Sequence, residues 1–138
     1  MNRNDFQDLS RTRIKEAGAL LRLRHYSGAY YLAGYSIECA LKACIAKETL
    51  RYDFPPDRKR TEEVYRHSAP ELLKAARLGS ALEAAIDLDL ALRNNWKIVG
   101  SWSEQDRYRH IAEGEARDMI EAVANRNHGV LPWVKRYW

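Results

Sequence analysis

Residues 28–47, GAYYLAGYSIECALKACIAK, are so consistently apolar that the fold has to be built around them. The stretch contains no proline, and Glu38 and Lys42 are its only charges before the last residue. On a helical wheel, apolar side chains cover most of the circumference, and only Tyr31, Tyr35, Glu38 and Lys42 form a polar arc. A helix that is apolar on most sides is buried by its neighbours. We therefore expect a central helix, roughly 30 Å long at 1.5 Å per residue.

The remainder of the chain shows helical patterns separated by short links. Helices are predicted over residues 5–24, 28–47, 69–79, 80–99 and 109 or 111 to 127. Capping boxes at Ser68 and Ser80 begin two of them, and Gly79 and Gly129 are expected to end two. The short link at residues 25–27 makes the first two helices an antiparallel hairpin. The predicted fold class is all-α: an up-and-down four-helix bundle with one extra short helix.

Length and composition indicate one compact unit. A chain of 138 residues fits a single domain over residues 1–138. Its aromatic tail, residues 129–138, is expected to pack on the bundle or on a second subunit. Residues 51–69, with two prolines and a run of charges, are predicted to be a solvated loop or a basic lip that touches phosphates. The net charge of +4 permits an acidic partner without identifying one.

Cysteine usage and the start of the chain indicate the compartment. Cys39 and Cys44 point away from each other on one predicted helix, so we interpret both as free, buried thiols, which suit a reducing cytoplasm. The N-terminal residues show no apolar signal region. The central apolar run contains charges, glycine, serine and tyrosines, unlike a membrane span. We expect a cytoplasmic protein without a membrane segment.

Charged side chains on or beside apolar faces predict a buried polar network of Arg13, Glu38, Lys42 and Asp89. A buried charge must be paired or hydrogen-bonded, since its desolvation otherwise costs several kcal/mol. Arg13 and Glu38 lie equally far from the hairpin link, so we predict that they pair. Asp89 and Arg93, spaced i,i+4, form a second predicted pair. The network either fixes helix register or forms the polar floor of a cleft.

Motifs for metal or cofactor chemistry are missing from the sequence. The four histidines are dispersed, and there is no C-x2-C pattern or glycine-rich phosphate loop. All four tryptophans fall between residues 96 and 138, among cationic residues. This mixture is typical of a site for single-stranded nucleic acid or a nucleotide, and equally of a dimer interface. The candidate ligand-binding residues are Arg93, Trp96, Trp102, Arg107 and Tyr108.

The segment 28–43 resembles the second helix of HEPN domains, the nucleotide-binding domains of higher eukaryotes and prokaryotes. Their usual pattern there is A-Y-Y-L-A-G-Y-x-x-E-x-x-L-K-A, which Glu38 and Lys42 match. The similarity continues with His67 before a Leu-Leu helix, Trp102 and Arg107-Tyr108 after the third main helix, and the aromatic tail. The resemblance implies a homodimeric four- or five-helix bundle. It also implies a role beside a minimal nucleotidyltransferase or in a toxin–antitoxin or defence system.

Many HEPN proteins are metal-independent RNases with the signature R-x4-6-H near the start of the last core helix. The resemblance implies that its Arg and His line a dimer cleft, where the RNA's own 2′-OH attacks. This chain departs from that signature. Arg93 begins a similar motif but no histidine follows, Arg107 and His110 are only three residues apart, and Arg60 with His67 lie in the loop after the second helix.

Three hypotheses for function follow from these observations. The first is a HEPN-fold nucleotide- or RNA-binding protein that lacks the standard RNase motif. The second is an active RNase toxin with a displaced catalytic set drawn from Arg107, His110 and His67. The third is a structural dimerisation module. None of them calls for a metal or a cofactor.

Overall fold

The computed structural model describes residues 1–49 and 58–138, apart from the side chain of Arg60. These residues form eight α-helices and one 3-10 helix, and they contain no β-strand. The helices are α1 (Arg3–Arg22), α2 (Tyr26–Glu48), α3 (Arg58–Val64), α4 (Ala69–Ala75), α5 (Gly79–Leu88), α6 (Leu90–Gly100), the 3-10 helix (Glu104–Tyr108), α7 (Glu113–Ala124) and α8 (Val130–Val134). The all-α, up-and-down bundle is confirmed. None of the described helices is long and apolar enough to cross a bilayer.

Helix α2 is the centre of the bundle, as the apolar run predicts. It contacts α1, α4, α7, α8 and the 3-10 helix. It is buried along most of its length from Ala29 to Ile45, including both cysteines. Because neighbouring elements cover α2, the residues of its polar arc pair with one another and with those neighbours.

The predicted helix over residues 80–99 is wrong in one respect, because it is divided at Asp89 into α5 and α6. Asp89 has extended backbone angles, and its carboxylate accepts a hydrogen bond from the Leu92 N–H at 2.9 Å. Aspartate competes in this way with the helical backbone and begins a new helix as its N-cap. The predicted capping box at Ser80 does not form, since α5 begins at Gly79 without a side-chain cap. Ser68 precedes α4 but its side chain caps nothing either.

After two helices, an arginine occupies the left-handed position in which glycine is usual. Arg24 after α1 has φ 63° and Arg77 after α4 has φ 60°, both in the left-handed region. Each is followed by a residue whose N–H reaches back five positions, from His25 to Leu20 and from Leu78 to Leu73. This hydrogen-bond pattern usually has glycine in the left-handed position. The prediction that Gly79 ends a helix is therefore wrong.

The C-terminal residues pack on the bundle, which was one of the two predicted outcomes. Asn125 ends α7 because its Oδ1 accepts hydrogen bonds from the N–H groups of Asn127 and His128, at 3.0 and 2.8 Å. Gly129, predicted to end that helix, instead precedes α8. A Cβ on Gly129 would lie 2.5 Å from the Asn125 carbonyl oxygen, so the turn requires glycine. Helix α8 then buries most of its residues against α2, α6 and α7.

The predicted loop at residues 51–69 is partly helical. Residues 58–64 form α3, in which Arg58 pairs with Glu62 one turn later at 3.1 Å. Pairs of opposite charge at this spacing support a helix. The proline pair and the other residues of 50–57, with the basic lip predicted there, lie outside the described residues. The side chain of Arg60, which the sequence analysis set beside His67, also lies outside the described part of the chain.

Candidate functional site

The polar arc of α2 carries a cluster of four ionisable side chains around Glu38. The Glu38 side chain is only 5% exposed, and Lys42 donates a hydrogen bond to its Oε1 at 2.8 Å. His67, which precedes α4, places Nδ1 3.0 Å from the same oxygen. Its Nε2 lies 3.1 Å from Glu104 Oε2, on the 3-10 helix. We call Glu38, Lys42, His67 and Glu104 the histidine cluster; it joins three elements of the bundle.

Both hydrogen-bonding atoms of the His67 ring are occupied in the histidine cluster, because Nδ1 faces Glu38 and Nε2 faces Glu104. A catalytic histidine needs a ring nitrogen within hydrogen-bond reach of the substrate. The groove beside the ring, about 310 Å³, also contains Arg66 and Glu71, whose charged groups lie 3.5 Å apart. The charges lining this groove thus have partners, which favours a structural role for His67 over a catalytic one.

Two of the predicted ion pairs are wrong. Arg13 pairs with Glu16 on its own helix at 2.6 Å, while Glu38 is satisfied by Lys42 and His67. Arg13 remains on the side of α2, with its guanidinium carbon 5.9 Å from the Tyr35 ring centre. A partner one turn away along the same helix is reached without crossing the bundle, so the local pair forms.

The predicted Asp89–Arg93 pair fails because the helix break turns Asp89 into a cap. Asp89 Oδ2 lies 2.8 Å from His128 Nδ1, and Arg93 lies 3.4 Å from Asp87. The hydrogen bond with His128 is the largest cause that lowers the pKa of Asp89. Neither Arg13 nor Asp89 is fully buried. Only Glu38 and Lys42 of the predicted network belong to the histidine cluster.

Trp102, predicted as a ligand-binding residue, is buried under the bundle surface. Its ring lies on Gly34, where an added Cβ would come within 2.2 Å of Trp102 Cδ1, and it contacts the Tyr31 ring at 5.5 Å between centres. Its indole N–H has no hydrogen-bond partner among the residues that the structure describes. Glycine in the middle of α2 is therefore explained by close packing of this indole. Trp102 is part of the core and is not an open stacking platform.

The other predicted ligand-binding residues lie on different parts of the surface. Arg93 and Trp96 belong to α6, where the neighbouring Asn95 reaches the His128 carbonyl at 2.8 Å. Arg107 and Tyr108 are exposed on the 3-10 helix, with the guanidinium 4.9 Å from the ring centre. His110 is exposed two residues later. Arg107, Tyr108 and His110 are therefore exposed within one short stretch of chain, whereas Trp102 is buried and Arg93 and Trp96 belong to α6.

A groove at the end of the bundle contains cationic residues that the sequence analysis missed. It has a volume of about 500 Å³ between the α1–α2 turn and the start of α7. It is lined by Leu21, Arg22, Arg24, Tyr26, Glu113 and Arg117. We call it the basic groove. Arg22 and Arg24 flank the sharp turn within the run RLRHY, which was the available signal.

The charges of the basic groove are unequally paired. Arg117 donates to Glu113 Oε1 from Nε at 3.0 Å and from Nη2 at 2.7 Å, and this hydrogen bonding lowers the pKa of Glu113. Arg22 and Arg24 form no ion pair with another residue in the described part of the chain. Three guanidinium groups and one carboxylate leave the lining with an excess of two positive charges. Such a lining attracts anions.

A second, smaller groove continues from the basic groove towards the 3-10 helix. It has a volume of about 330 Å³ and shares Arg24 and Tyr26 with the first. His25 and Ile111 also line it. The Ser27 hydroxyl oxygen accepts a hydrogen bond from the Ile111 N–H at 3.0 Å, which fixes the chain after the 3-10 helix against the start of α2. His110 therefore directly precedes a residue that lines the smaller groove.

The remaining candidate chemistry is weak. Burial raises the pKa of Cys39 and of Cys44 to about 11, so both thiols stay protonated and poorly nucleophilic at neutral pH. No group of three histidine, cysteine or acidic residues is placed to hold a metal ion in the regions 1–49 and 58–138. The basic groove is thus the strongest candidate for binding a ligand.

Comparisons of the chain with protein-family models, with curated proteins and with solved structures find no match. The resemblance of residues 28–43 to HEPN domains stays a prediction.

Proposed function

We propose that this chain binds the phosphate groups of RNA or of a nucleotide in the basic groove. The observation that carries the proposal is the pair of arginines, Arg22 and Arg24, which lie beside Arg117 without ion-pair partners of their own among the described residues. A guanidinium group offers two parallel N–H donors that match phosphate oxygens. Arginines already engaged with carboxylates elsewhere on the chain are less available for this purpose.

The surroundings of the groove favour a chain of phosphates over a single one. His25 is exposed and lines the smaller groove, and His110 is exposed one residue before Ile111, which also lines it. Arg107 and Tyr108 are exposed just before His110 in the chain. Exposed cations that follow a groove, with an aromatic ring on which a base stacks, are typical of single-stranded nucleic acid sites. We therefore expect an RNA oligonucleotide to bind more tightly than a nucleoside triphosphate.

The resemblance to HEPN domains adds the biological setting to this proposal. It favours a homodimer that acts beside a minimal nucleotidyltransferase or within a toxin–antitoxin or defence module. The RNase alternative rests on Arg107 and His110, because His67 is engaged by two carboxylates. Overexpression separates the two functions: growth arrest that His110→Ala abolishes supports the RNase, and unchanged growth supports the binding protein.

Fluorescence anisotropy with a labelled single-stranded RNA, across a range of salt concentrations, tests the proposal. The double variant Arg22→Ala/Arg24→Ala should weaken binding, and the slope of log K against log salt should fall by about one for each arginine removed. Competition by an unlabelled nucleoside triphosphate measures how much of the affinity a single nucleotide supplies. Circular dichroism shows that the variant is folded.

The matched control is Arg58→Ala/Arg66→Ala, which removes the same charge from arginines that are ion-paired with Glu62 and Glu71. Its salt slope should equal that of the unaltered chain within error. Equal losses in both double variants would show that net charge alone attracts RNA. That outcome, or no binding by the unaltered chain at low salt, overturns the proposal.

A further inference from the structure

The first residue of α7 places a carboxylate inside the basic groove. Among the described residues, Glu113 is the only acidic one in a lining that contains three arginines. Arg117, one turn later, donates hydrogen bonds from Nε at 3.0 Å and from Nη2 at 2.7 Å, and both reach the same Glu113 oxygen, Oε1. An edge with which this guanidinium group would hold a phosphate is therefore occupied by Glu113.

The surroundings of Glu113 keep its carboxylate negatively charged. Hydrogen bonds from Arg117 and from the Tyr26 side chain, together with the charge of Arg24, lower the pKa of Glu113. These three groups belong to α7, to the start of α2 and to the α1–α2 turn. At neutral pH an anion that enters the basic groove therefore meets a second anion already bound there.

The pair formed by Glu113 and Arg117 is open to solvent. The Glu113 side chain is 50% exposed and that of Arg117 is 60% exposed. Exposed ion pairs contribute little to stability, so another anion can replace the carboxylate at small cost. The pair of Glu38 and Lys42, whose side chains are only 5% and 14% exposed, does not allow such a replacement.

We propose that Glu113 is an internal competitor for phosphate, and that Arg117 exchanges this carboxylate for a phosphate group when RNA binds. The inference rests on the proposed function of the basic groove and adds the residue that limits its affinity. In the free chain Arg117 is occupied, while Arg22 and Arg24 attract the RNA backbone. In the complex Glu113 turns to solvent, and its repulsion of the phosphate offsets part of the attraction by the arginines.

The exchange has a characteristic dependence on salt. A phosphate that contacts an arginine releases a condensed cation from the RNA. The carboxylate that Arg117 gives up attracts a cation from solution at the same time, so this contact adds almost nothing to the net release. Without the carboxylate, the same contact should steepen the slope of log K against log salt by about one. A residue that only supports the fold would not change this slope.

Fluorescence anisotropy of Glu113→Gln with a labelled single-stranded RNA tests the exchange. At low salt this variant should bind RNA about fivefold more tightly, as expected when one exposed ion pair no longer competes, and its salt slope should be steeper. The matched control is Glu62→Gln, which makes the same change of charge at a carboxylate paired with Arg58 outside the groove. It should leave affinity and slope unaltered. Equal gains in both variants overturn the proposal, because net charge would then be the cause.

Removal of the arginine shows whether Glu113 acts through it. Most of the gain in affinity should disappear when Glu113→Gln is introduced into an Arg117→Gln variant. A gain of the same size without the Arg117 guanidinium would mean that Glu113 only repels the RNA backbone, which overturns the exchange. Both side chains are exposed, so the fold should be retained, and circular dichroism checks this.

The exchange and the phosphate site can fail separately. If Arg22→Ala/Arg24→Ala weakens RNA binding but Glu113→Gln changes neither affinity nor slope, the phosphate site stands and the exchange is wrong. If the unaltered chain binds no RNA at low salt, both are wrong.

Discussion

The histidine cluster and the basic groove both contain several charges, but they use them differently. In the cluster, Glu38 is buried and its oxygen is shared by Lys42 and His67. In the groove, Arg22 and Arg24 have no ion-pair partner among the described residues, although Glu113 is close enough to bind Arg117. The first region satisfies its charges internally, whereas the lining of the second has two more positive charges than negative ones.

The difference follows from where each region lies along α2. The cluster is near the middle of α2, where α4 and the 3-10 helix cover the helix. A charge that is removed from water there must be compensated. The basic groove lies at the start of α2, where the end of α1, the α1–α2 turn and the start of α7 meet. Its arginine side chains remain in contact with solvent. We infer that substitutions in the first region should alter stability, whereas those in the second should alter binding.

The largest expected effect is the loss of stability on Glu38→Gln. The amide has almost the same shape, but it leaves Lys42 and His67 without their negative partner. Breaking a buried ion pair costs about 3 kcal/mol. We expect the low end of the usual range because the His67 side chain is 45% exposed and also contacts Glu104. Urea denaturation measures the change, and RNA affinity of the folded variant should be unaltered.

The control for this substitution is Glu62→Gln. Glu62 is an exposed carboxylate that pairs with Arg58 on α3 at 3.1 Å. Exposed pairs contribute little, so its free energy of unfolding should change by less than about 0.5 kcal/mol. Similar small changes in both variants would mean that the cluster is not a structural pair, and the contrast between the two regions would be lost.

The next largest effect is expected for Gly34→Ala, which tests how tightly Trp102 is packed. The new methyl group would lie 2.2 Å from Trp102 Cδ1, so the buried indole has to move. Overpacking of this kind costs about 2 kcal/mol, more than the gain in helix propensity from glycine to alanine. Gly114→Ala is the control, because no atom lies within 4 Å of its added Cβ. Gly114→Ala should be neutral or stabilising in the same urea titration, and a neutral Gly34→Ala would contradict the packing.

The position of α2 was predictable from the sequence because an apolar run of that length has only one suitable environment. The break at Asp89 was not predictable, since Leu82, Leu92 and the residues between them keep helical periodicity on both sides of it. The spacing of apolar residues gives no sign of a helix break that is caused by a hydrogen bond from one capping side chain to the backbone. The same limit explains why Gly79 was predicted to end a helix that instead ends before Arg77, the residue in the left-handed conformation.

The candidate site was predicted only in part. Arg107, Tyr108 and His110 are adjacent in the chain, so their shared surface followed from the sequence. The basic groove joins Arg24 to Arg117, which are far apart in the chain and meet only because α7 begins beside the α1–α2 turn. The histidine cluster was missed for a similar reason, since His67 and Glu104 reach Glu38 from two different elements. Such meetings depend on tertiary packing.

The smallest expected change in stability is that of Arg24→Gly. This substitution should stabilise the fold slightly but weaken RNA binding. Arg24 has φ 63°, a conformation that costs a side-chain-bearing residue about 1 kcal/mol and glycine almost nothing. Because glycine is also more flexible in the unfolded chain, the net gain in the free energy of unfolding should be roughly 0.5 kcal/mol. Loss of the guanidinium should nevertheless weaken RNA binding and reduce the salt slope by about one.

Arg77→Gly separates the two effects of this substitution. Arg77 has φ 60° at the end of α4 and does not line the basic groove, so the backbone gain should be the same and RNA binding should be unaltered. Urea denaturation and anisotropy on the two variants therefore distinguish a backbone effect from a phosphate contact. If Arg77→Gly weakens binding as much as Arg24→Gly does, phosphate attraction is spread over the surface and the basic groove has no special role. If both leave binding unaltered, Arg24 does not contact phosphate. The histidine cluster and the basic groove would then not differ in their contribution to RNA binding.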